Sequence, residues 1–253
     1  MIIDFNAYVG QWPFRRLPAR TADEVVSLMD RHGIDLSVVS SLSSALYIDS
    51  HEGNIELIEE IEQNRKRFIP LAVLNPKYPG WESDLDGCIG YGFKGIRLYP
   101  QYHNYALTDD ECLKLVSRAS EMGLAVSVPV RLRDGRGRHW MDSARDLKLS
   151  EVEQLAKRIP SSRIVLLESR DVANTPITEC QNVYFETSRM TSVLGGEVTK
   201  LIQSVGASRI VFGSGMPLKY ALPALLKITL LDEPKEVKDR ILCSNASSLL
   251  GLD

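Results

Sequence analysis

The sequence predicts an α/β protein folded as a (β/α)8 TIM barrel, and three observations carry that reading. Eight short runs rich in β-branched residues recur along the chain, and stretches with helical spacing lie between them. Sharing 253 residues among eight units gives about 32 each, the size of one strand-plus-helix repeat. Eight parallel strands close into a barrel at roughly 250 residues. An open, doubly wound sheet is the competing architecture. No linker or low-complexity stretch breaks the pattern, so one domain over residues 1–253 is expected.

The strand runs fall at 2–6, 36–42, 68–75, 95–99, 125–131, 163–167, 182–186 and 209–212. Helical spacing marks 22–31, 54–64, 110–122, 150–158, 196–204 and 218–230, and a last helix from 233 towards 250 packs outside the barrel. Thr108 before Asp109, Asp110 and Glu111 reads as a helix N-cap with acids in the first turn, and Ser150 before Glu151 and Glu153 repeats it. Gly33 and Gly123 suit the left-handed position that ends a helix. The run Gly90-Tyr91-Gly92-Phe93-Lys94-Gly95 spells a dinucleotide fingerprint, but it ends a helix and enters a strand. That is the reverse of the order that meets a pyrophosphate, so it reads as a turn and no NAD is expected.

Composition excludes several classes. Thirty basic residues against 33 acidic ones leave a net charge of −3, without the basic excess that nucleic-acid binding needs. The most apolar late stretch, 221–231, is broken by Pro223 and Lys227, so no membrane span is expected. Met1-Ile2-Ile3 meets Asp4 at once, which is no signal peptide. Cys88, Cys112, Cys180 and Cys243 form no C-x-x-C pair and read as reduced thiols of a cytoplasmic protein.

A barrel carries its site at the C-terminal ends of its strands, and strand alternation sorts the candidates. In the first strand Ile3 and Phe5 share one face, leaving Asp4, Asn6 and Tyr8 on the other. Arg97 and Tyr99 point inward from the fourth strand, Ser127 and Arg131 from the fifth, and Tyr184, Glu186 and Ser188 from the seventh. The inward set near the mouth is therefore Asn6, Tyr8, Arg97, Tyr99, Arg131 and Glu186. Buried charges need partners. Either Glu186 forms an internal salt bridge with Arg97 or Arg131, or the arginines make a cup for carboxylates, which guanidinium forks grip two-handedly.

Two loop histidines, His103 after the fourth strand and His139 after the fifth, join this face. The loop from Arg131 to His139 also holds Arg133, Arg136 and Arg138 with two glycines, either a solvated basic loop or an anion lid. The aromatic segment 10–16 after the first strand covers the mouth, plugs the barrel top or meets a second subunit. Gly213-Ser214-Gly215 offers backbone N–H groups as an anion nest.

These residues resemble the amidohydrolase superfamily, in its amidohydrolase-related branch with aminocarboxymuconate-semialdehyde decarboxylase and metal-independent dicarboxylate lactonases. The resemblance runs over nearly the whole chain. It rests on Ile2-Ile3-Asp4-Phe5-Asn6-Ala7-Tyr8-Val9-Gly10, where the family reads I-D-x-H-x-H-x-G, and on Gly92-Phe93-Lys94-Gly95-Ile96-Arg97-Leu98. It continues at Arg209-Ile210-Val211-Phe212-Gly213-Ser214-Gly215-Met216-Pro217, where the family reads R-I-x-F-G-S-D-x-P, and at the closing Asn245-Ala246-Ser247-Ser248-Leu249-Leu250. It implies a metal-dependent-hydrolase-like barrel and a homo-oligomer. Zinc-binding relatives use both histidines of H-x-H, histidines after the fifth and sixth strands and the aspartate after the eighth. Here those places hold Asn6 and Tyr8, residues near Arg131 and Glu168, and Gly215, which are poor or absent zinc ligands.

The expectation is a hydrolase that works without metal or cofactor on a small anionic, lactone- or ester-like substrate. Arg97, Arg131 and Arg136 hold carboxylates, with Asn6, Tyr8, Tyr99 and Ser214 lining the cup. His103 or His139 is the acid–base group, and Glu186 orients it or activates water. A non-catalytic ligand- or partner-binding barrel and a decarboxylase-type lyase are the alternatives.

Overall fold

In a computed structural model of the chain, described over residues 1–252, all eight expected strands are present, the third in two pieces. β1 (Ile3–Val9) leads to α1 (Ala22–His32), which opens on a capping box between Thr21 and Glu24 and closes on Gly33 at φ 65°. β2 (Leu36–Ser41) leads to α2 (Ser50–Ile61), which is capped by Asp49 and begins four residues before the expected start. β3 (Phe68–Pro70) and β4 (Ala72–Val73) flank Leu71, and α3 (Trp81–Gly90) is the helix that the Gly90–Gly95 run was expected to end. Its end supplies the Gly90–Gly95 turn into β5 (Gly95–Arg97). A single turn, α4 (Pro100–His103), precedes α5 (Asp110–Glu121).

β6 (Ala125–Pro129), α6 (Leu149–Arg158) and β7 (Arg163–Leu167) follow. Lys148 rather than Ser150 stands at the α6 N-cap, its N–H held by Glu151 at 2.8 Å, and Asp109 rather than Thr108 heads α5. Only a 3-10 turn separates β7 from β8 (Val183–Glu186), after which come α7 (Glu197–Val205), β9 (Ile210–Val211), α8 (Ala221–Thr229), α9 (Lys235–Asp239) and α10 (Asn245–Leu250). Among the described residues no helix is long and apolar enough to cross a membrane.

The strands pair in parallel, in the order β1-β2-β3 and β4 through β9. Leu71 joins the two sets by donating to Val39 O at 2.8 Å. The barrel closes where Phe5 N reaches Phe212 O (2.8 Å), Gly215 N reaches Asn6 O (2.7 Å) and Tyr8 N reaches Met216 O (3.0 Å).

β1 carries one extra residue. Its register with β2 runs Ile3–Leu36 and Asp4–Ser37, then resumes at Ala7–Val39, which is a β-bulge. The bulge corrects the strict alternation expected for this strand. Below it Ile3 and Phe5 join Val38, Leu71, Val165 and Val211 in the barrel interior, floored by Leu249 and Leu250 of α10. Above it Ala7 and Val9 face the helices, while Asn6 and Tyr8 turn inward. In the other strands the expected alternation holds: Ile96, Leu98, Val126, Val128, Val183 and Phe185 pack outward against the helix layer.

Arg97 underpins the bulge. Its Nη1 donates to Ala7 O at 3.1 Å and to Ser40 Oγ at 3.0 Å, its Nη2 donates to Phe5 O at 3.4 Å, and its guanidinium lies 4.8 Å from the Tyr8 ring centroid. A bulge disturbs the ladder locally, and this side chain gives two carbonyls on either side of it a further donor in a dry interior. Replacing Arg97 with Met is expected to cost about 3 kcal/mol or more, since buried acceptors lose their donors. Denaturant unfolding checks this.

Asp4 is the second clasp. Its carboxyl accepts from Asn6 N (3.0 Å), Ser214 N (2.8 Å) and Ser214 Oγ, tying β1 to the segment after β9. Burial pushes its pKa from 3.8 to about 7, against the opposing pull of those donors. The fold thus favours the neutral carboxyl, and that contribution to stability is lost as pH rises from 3.8 through about 7. Asp4→Asn is expected to reduce the fall in Tm between pH 5 and pH 8, measured by thermal denaturation across that range.

Candidate active site

Two carboxyl groups meet at the C-terminal ends of adjacent strands. Glu168 follows β7 in a left-handed conformation, φ 59°, which is unusual for a residue with a side chain. Glu186 ends β8 and is fully buried. Asn6 Nδ2 donates to both, at 3.1 Å to Glu168 Oε1 and 3.2 Å to Glu186 Oε2. Ser188 Oγ also bridges them, 2.8 Å from Glu168 Oε1 and 3.0 Å from Glu186 Oε2. Glu186 further accepts from the N–H groups of Glu168 and Ser188.

Lys219 completes the cluster. Its ammonium pairs with Glu168 Oε2 and donates to Ser188 Oγ at 3.3 Å, with its side chain 26% exposed. Burial, and then the neighbouring Glu168 charge, raise the Glu186 pKa above the usual carboxylate range. Beneath the pair Lys227 of α8 donates to Thr187 O, Ser188 O and Met190 O at 2.7–2.8 Å and fixes the segment after β8, burial lowering its pKa to about 8.

Two glycines make room. A Cβ on Gly213 would collide with the Glu186 carboxyl. At Gly215, φ 73°, a Cβ would lie 2.9 Å from Lys219 Cδ and 3.0 Å from Glu168 Oε1. Lys219 and Glu168 thus occupy the space beside the position where the resemblance places an aspartate.

The other expected site residues divide. Asn6 joins the carboxyl pair, but Glu186 pairs with neither Arg97 nor Arg131, and it touches neither histidine. Arg97 is committed to backbone and Ser40. Arg131 pairs with Asp146 at 2.7 Å. Arg136, 91% exposed, pairs with Asp134 and points to solvent. His103 is buried, its Nε2 3.0 Å from Ser44 O, and burial lowers its pKa to about 4. His139 is exposed and stacks on Phe14 with ring centroids 5.6 Å apart. The nest at Ser214 is already filled: its N–H serves Asp4, and Gly215 N serves Asn6 O.

Tyr8 and Tyr99 sit in an apolar layer with Trp12, Leu42, Val73, Leu132 and Leu218, so the segment after β1 helps to plug the barrel top. Tyr99 OH lies 3.2 Å from Ser40 Oγ, while Tyr8 OH and Asn6 Oδ1 are buried without a hydrogen-bond partner.

The zinc implied by the resemblance does not fit this donor set. Tyr8 is a neutral phenol whose pKa burial holds well above 10, and Asn6 offers one amide oxygen. Gly215 offers no side chain, and a lysine ammonium already sits on Glu168. Among the described residues no group of three or more His, Cys, Asp or Glu is arranged to hold a metal ion.

Sequence reasoning passed over Lys219 and gave Ser188 no role. Lys219 had one signal: it is the first charged residue after Arg209, just past the end of the last strand.

Comparison with known proteins places this geometry. No curated protein sequence matches the chain. Solved structures do, at low identity. The 5-carboxyvanillate decarboxylase of Sphingomonas paucimobilis aligns with a TM-score of 0.78 and 14% identity, over 99% of this chain and 98% of that one. The 2,6-dihydroxybenzoate decarboxylase of Rhizobium gives 0.76 and 16%, over 100% and 99%. A structure from Acinetobacter baumannii assigned as a 2-pyrone-4,6-dicarboxylic acid hydrolase, with citric acid bound, gives 0.67 and 14%, over 99% of both chains. These likenesses establish the shared barrel. The amidohydrolase family profile matches residues 11–252, and the chain belongs to that family.

Proposed function

We propose that this amidohydrolase-family barrel is a hydrolase that opens an ester or lactone bond in a small carboxylated molecule, using no metal or cofactor. The observation that carries the reading is the Glu168–Glu186 pair beneath the Lys219 ammonium, at the strand ends where a barrel does its chemistry. Glu168 takes a proton from water, whose oxygen attacks the substrate carbonyl carbon. Lys219 stabilises the oxyanion. Glu186, whose pKa is raised by burial and then by the Glu168 charge, protonates the departing alkoxide. Glu168 then holds the proton and Glu186 the charge, and Ser188 Oγ, bonded to both, returns the proton between them.

Two other readings rest on particular observations. A protonated Glu186 also suits delivery of a proton to carbon after loss of carbon dioxide, the chemistry named for two of the aligned structures. The apolar layer of Tyr8, Trp12 and Leu218 over the barrel top favours a barrel that binds without turnover. A groove of about 590 Å3, lined by residues such as Gln11, Arg20, Glu56 and Glu60, lies beside the mouth and includes none of the carboxyl cluster. Exposed Trp140, Leu194 and Tyr220 are apolar side chains that a homo-oligomer would cover.

Turnover of a panel of carboxylated lactones and esters tests the proposal. Glu186→Gln and Lys219→Met are each expected to lower kcat at least ~100-fold with the fold intact. Wild-type activity is expected to survive chelation without stoichiometric zinc in the protein. It is expected to fall as pH rises through the elevated Glu186 pKa, because the acid form is the working one. Activity abolished by chelator and restored by zinc, or unchanged in both variants, overturns the mechanism.

A further inference from the structure

Two arginines at the rim share an unusual arrangement. Arg15 Nη2, from the segment after β1, donates to Leu218 O at 2.9 Å, and Arg133 Nη1, from the loop after β6, reaches the same oxygen at 3.3 Å. One neutral carbonyl thus anchors two guanidinium groups. Arg133 also donates to Gly137 O at 3.3 Å, and among the described residues neither arginine forms a salt bridge. Their neighbours behave otherwise: Arg131 and Arg138 share Asp146, while Arg136 and Arg189 share Asp134. Partial burial, and then the nearby Arg15 charge, lower the Arg133 pKa. Two like charges held together raise the local potential, which an anion relieves; Asp134, Asp142 and Glu168 act on Arg133 from nearby and offset part of it without forming a salt bridge.

The position adds to this. Leu218 immediately precedes Lys219, whose ammonium sits on Glu168, so the pair stands beside the carboxyl cluster. The same two loops carry Phe14 and His139, stacked on each other. The three arginines first expected to grip carboxylates are committed to backbone or to aspartates, whereas Arg15 and Arg133 bond only main-chain carbonyls.

We propose that Arg15 and Arg133 form the carboxylate anchor of the site: one planar carboxylate bridges the two guanidinium forks and places the rest of a small substrate towards Lys219. This rests on the proposed function, to which it adds a specific recognition pair. Two forks suit the planar carboxylate geometry, and they bring charge without the backbone N–H cradle that holds phosphates.

Calorimetric titration with isophthalate, at fixed ionic strength, tests the anchor. Saturable binding is expected, weakened about tenfold or more by Arg15→Gln and by Arg133→Gln, the loss of one charge-assisted contact each. Arg133→Lys, which keeps the charge but not the fork, is expected to bind more weakly than the wild type. Arg118→Gln, on the outside of α5, is expected to match it. Each variant is taken forward only with an unchanged circular dichroism spectrum. No saturable binding, equal affinity in all variants, or equally tight binding of inorganic phosphate overturns the anchor. Running the titration on Glu186→Gln separates the two claims: retained isophthalate binding in a protein whose wild type never turns over substrate upholds the anchor and sinks the hydrolase alone.

Discussion

The extra residue in β1 constrains everything above it. A strand in strict alternation cannot place Ile3 and Phe5 in the barrel floor and also send Asn6 and Tyr8 inward at its mouth. The bulge between Asp4 and Ala7 permits both. Arg97, reaching across the interior from β5, donates to the Phe5 and Ala7 carbonyls on either side of the bulge. A buried guanidinium is costly to desolvate, and it is tolerated here because its donors meet carbonyls, a hydroxyl and an aromatic face. The same bulge fixes Asn6 where its amide can hold two carboxyl groups together. Floor, closure and site therefore share one local irregularity.

That dependence explains what could be seen in the chain beforehand. The barrel was legible because its evidence is repetitive: β-branched runs, helical spacing and outward valines in 126 and 128 report backbone geometry that many residues enforce together. The site was legible only in part. Asn6 and Glu186 were placed inward, Asn6 by an alternation that fails within its own strand. Arg97 was inward too, but parity says where a side chain points and nothing about what it meets there. The histidines misled for a related reason: His103 follows a strand end, yet the single turn of α4 locks its ring against Ser44 O. Lys219 lies in a segment without regular structure, where no periodicity marks direction, and its partner Glu168 is set by an αL backbone that composition does not announce.

The carboxyl cluster also shows how such a site remains stable. Two adjacent carboxyl groups in a dry interior are costly: burial, and then the Glu168 charge, raise the Glu186 pKa, and the fold pairs Glu168 with an ammonium. Asn6, Ser188 and two backbone N–H groups take up the remaining lone pairs. Lys227 holds the carbonyls of the segment that carries Ser188, so the cluster rests on a second buried cation that takes no part in it. Rigid support beneath and a half-exposed lysine above are what an acid–base pair needs if it is to meet a ligand without rearranging.

The glycine at 215 has a consequence for redesign. Its missing side chain is matched by the stem of Lys219, which lies against the bare backbone, so the two positions are sterically one unit. An aspartate introduced at 215 alone meets a lysine and a glutamate in the space it needs, in a backbone conformation that disfavours any side chain. Removing Lys219 alone strands the Glu168 carboxylate without its counter-ion. The cost of either substitution therefore depends on the residue at the other position, because the effects of such neighbours do not add. Positions 215 and 219 are best varied as a pair, with Glu168 as the partner both must suit.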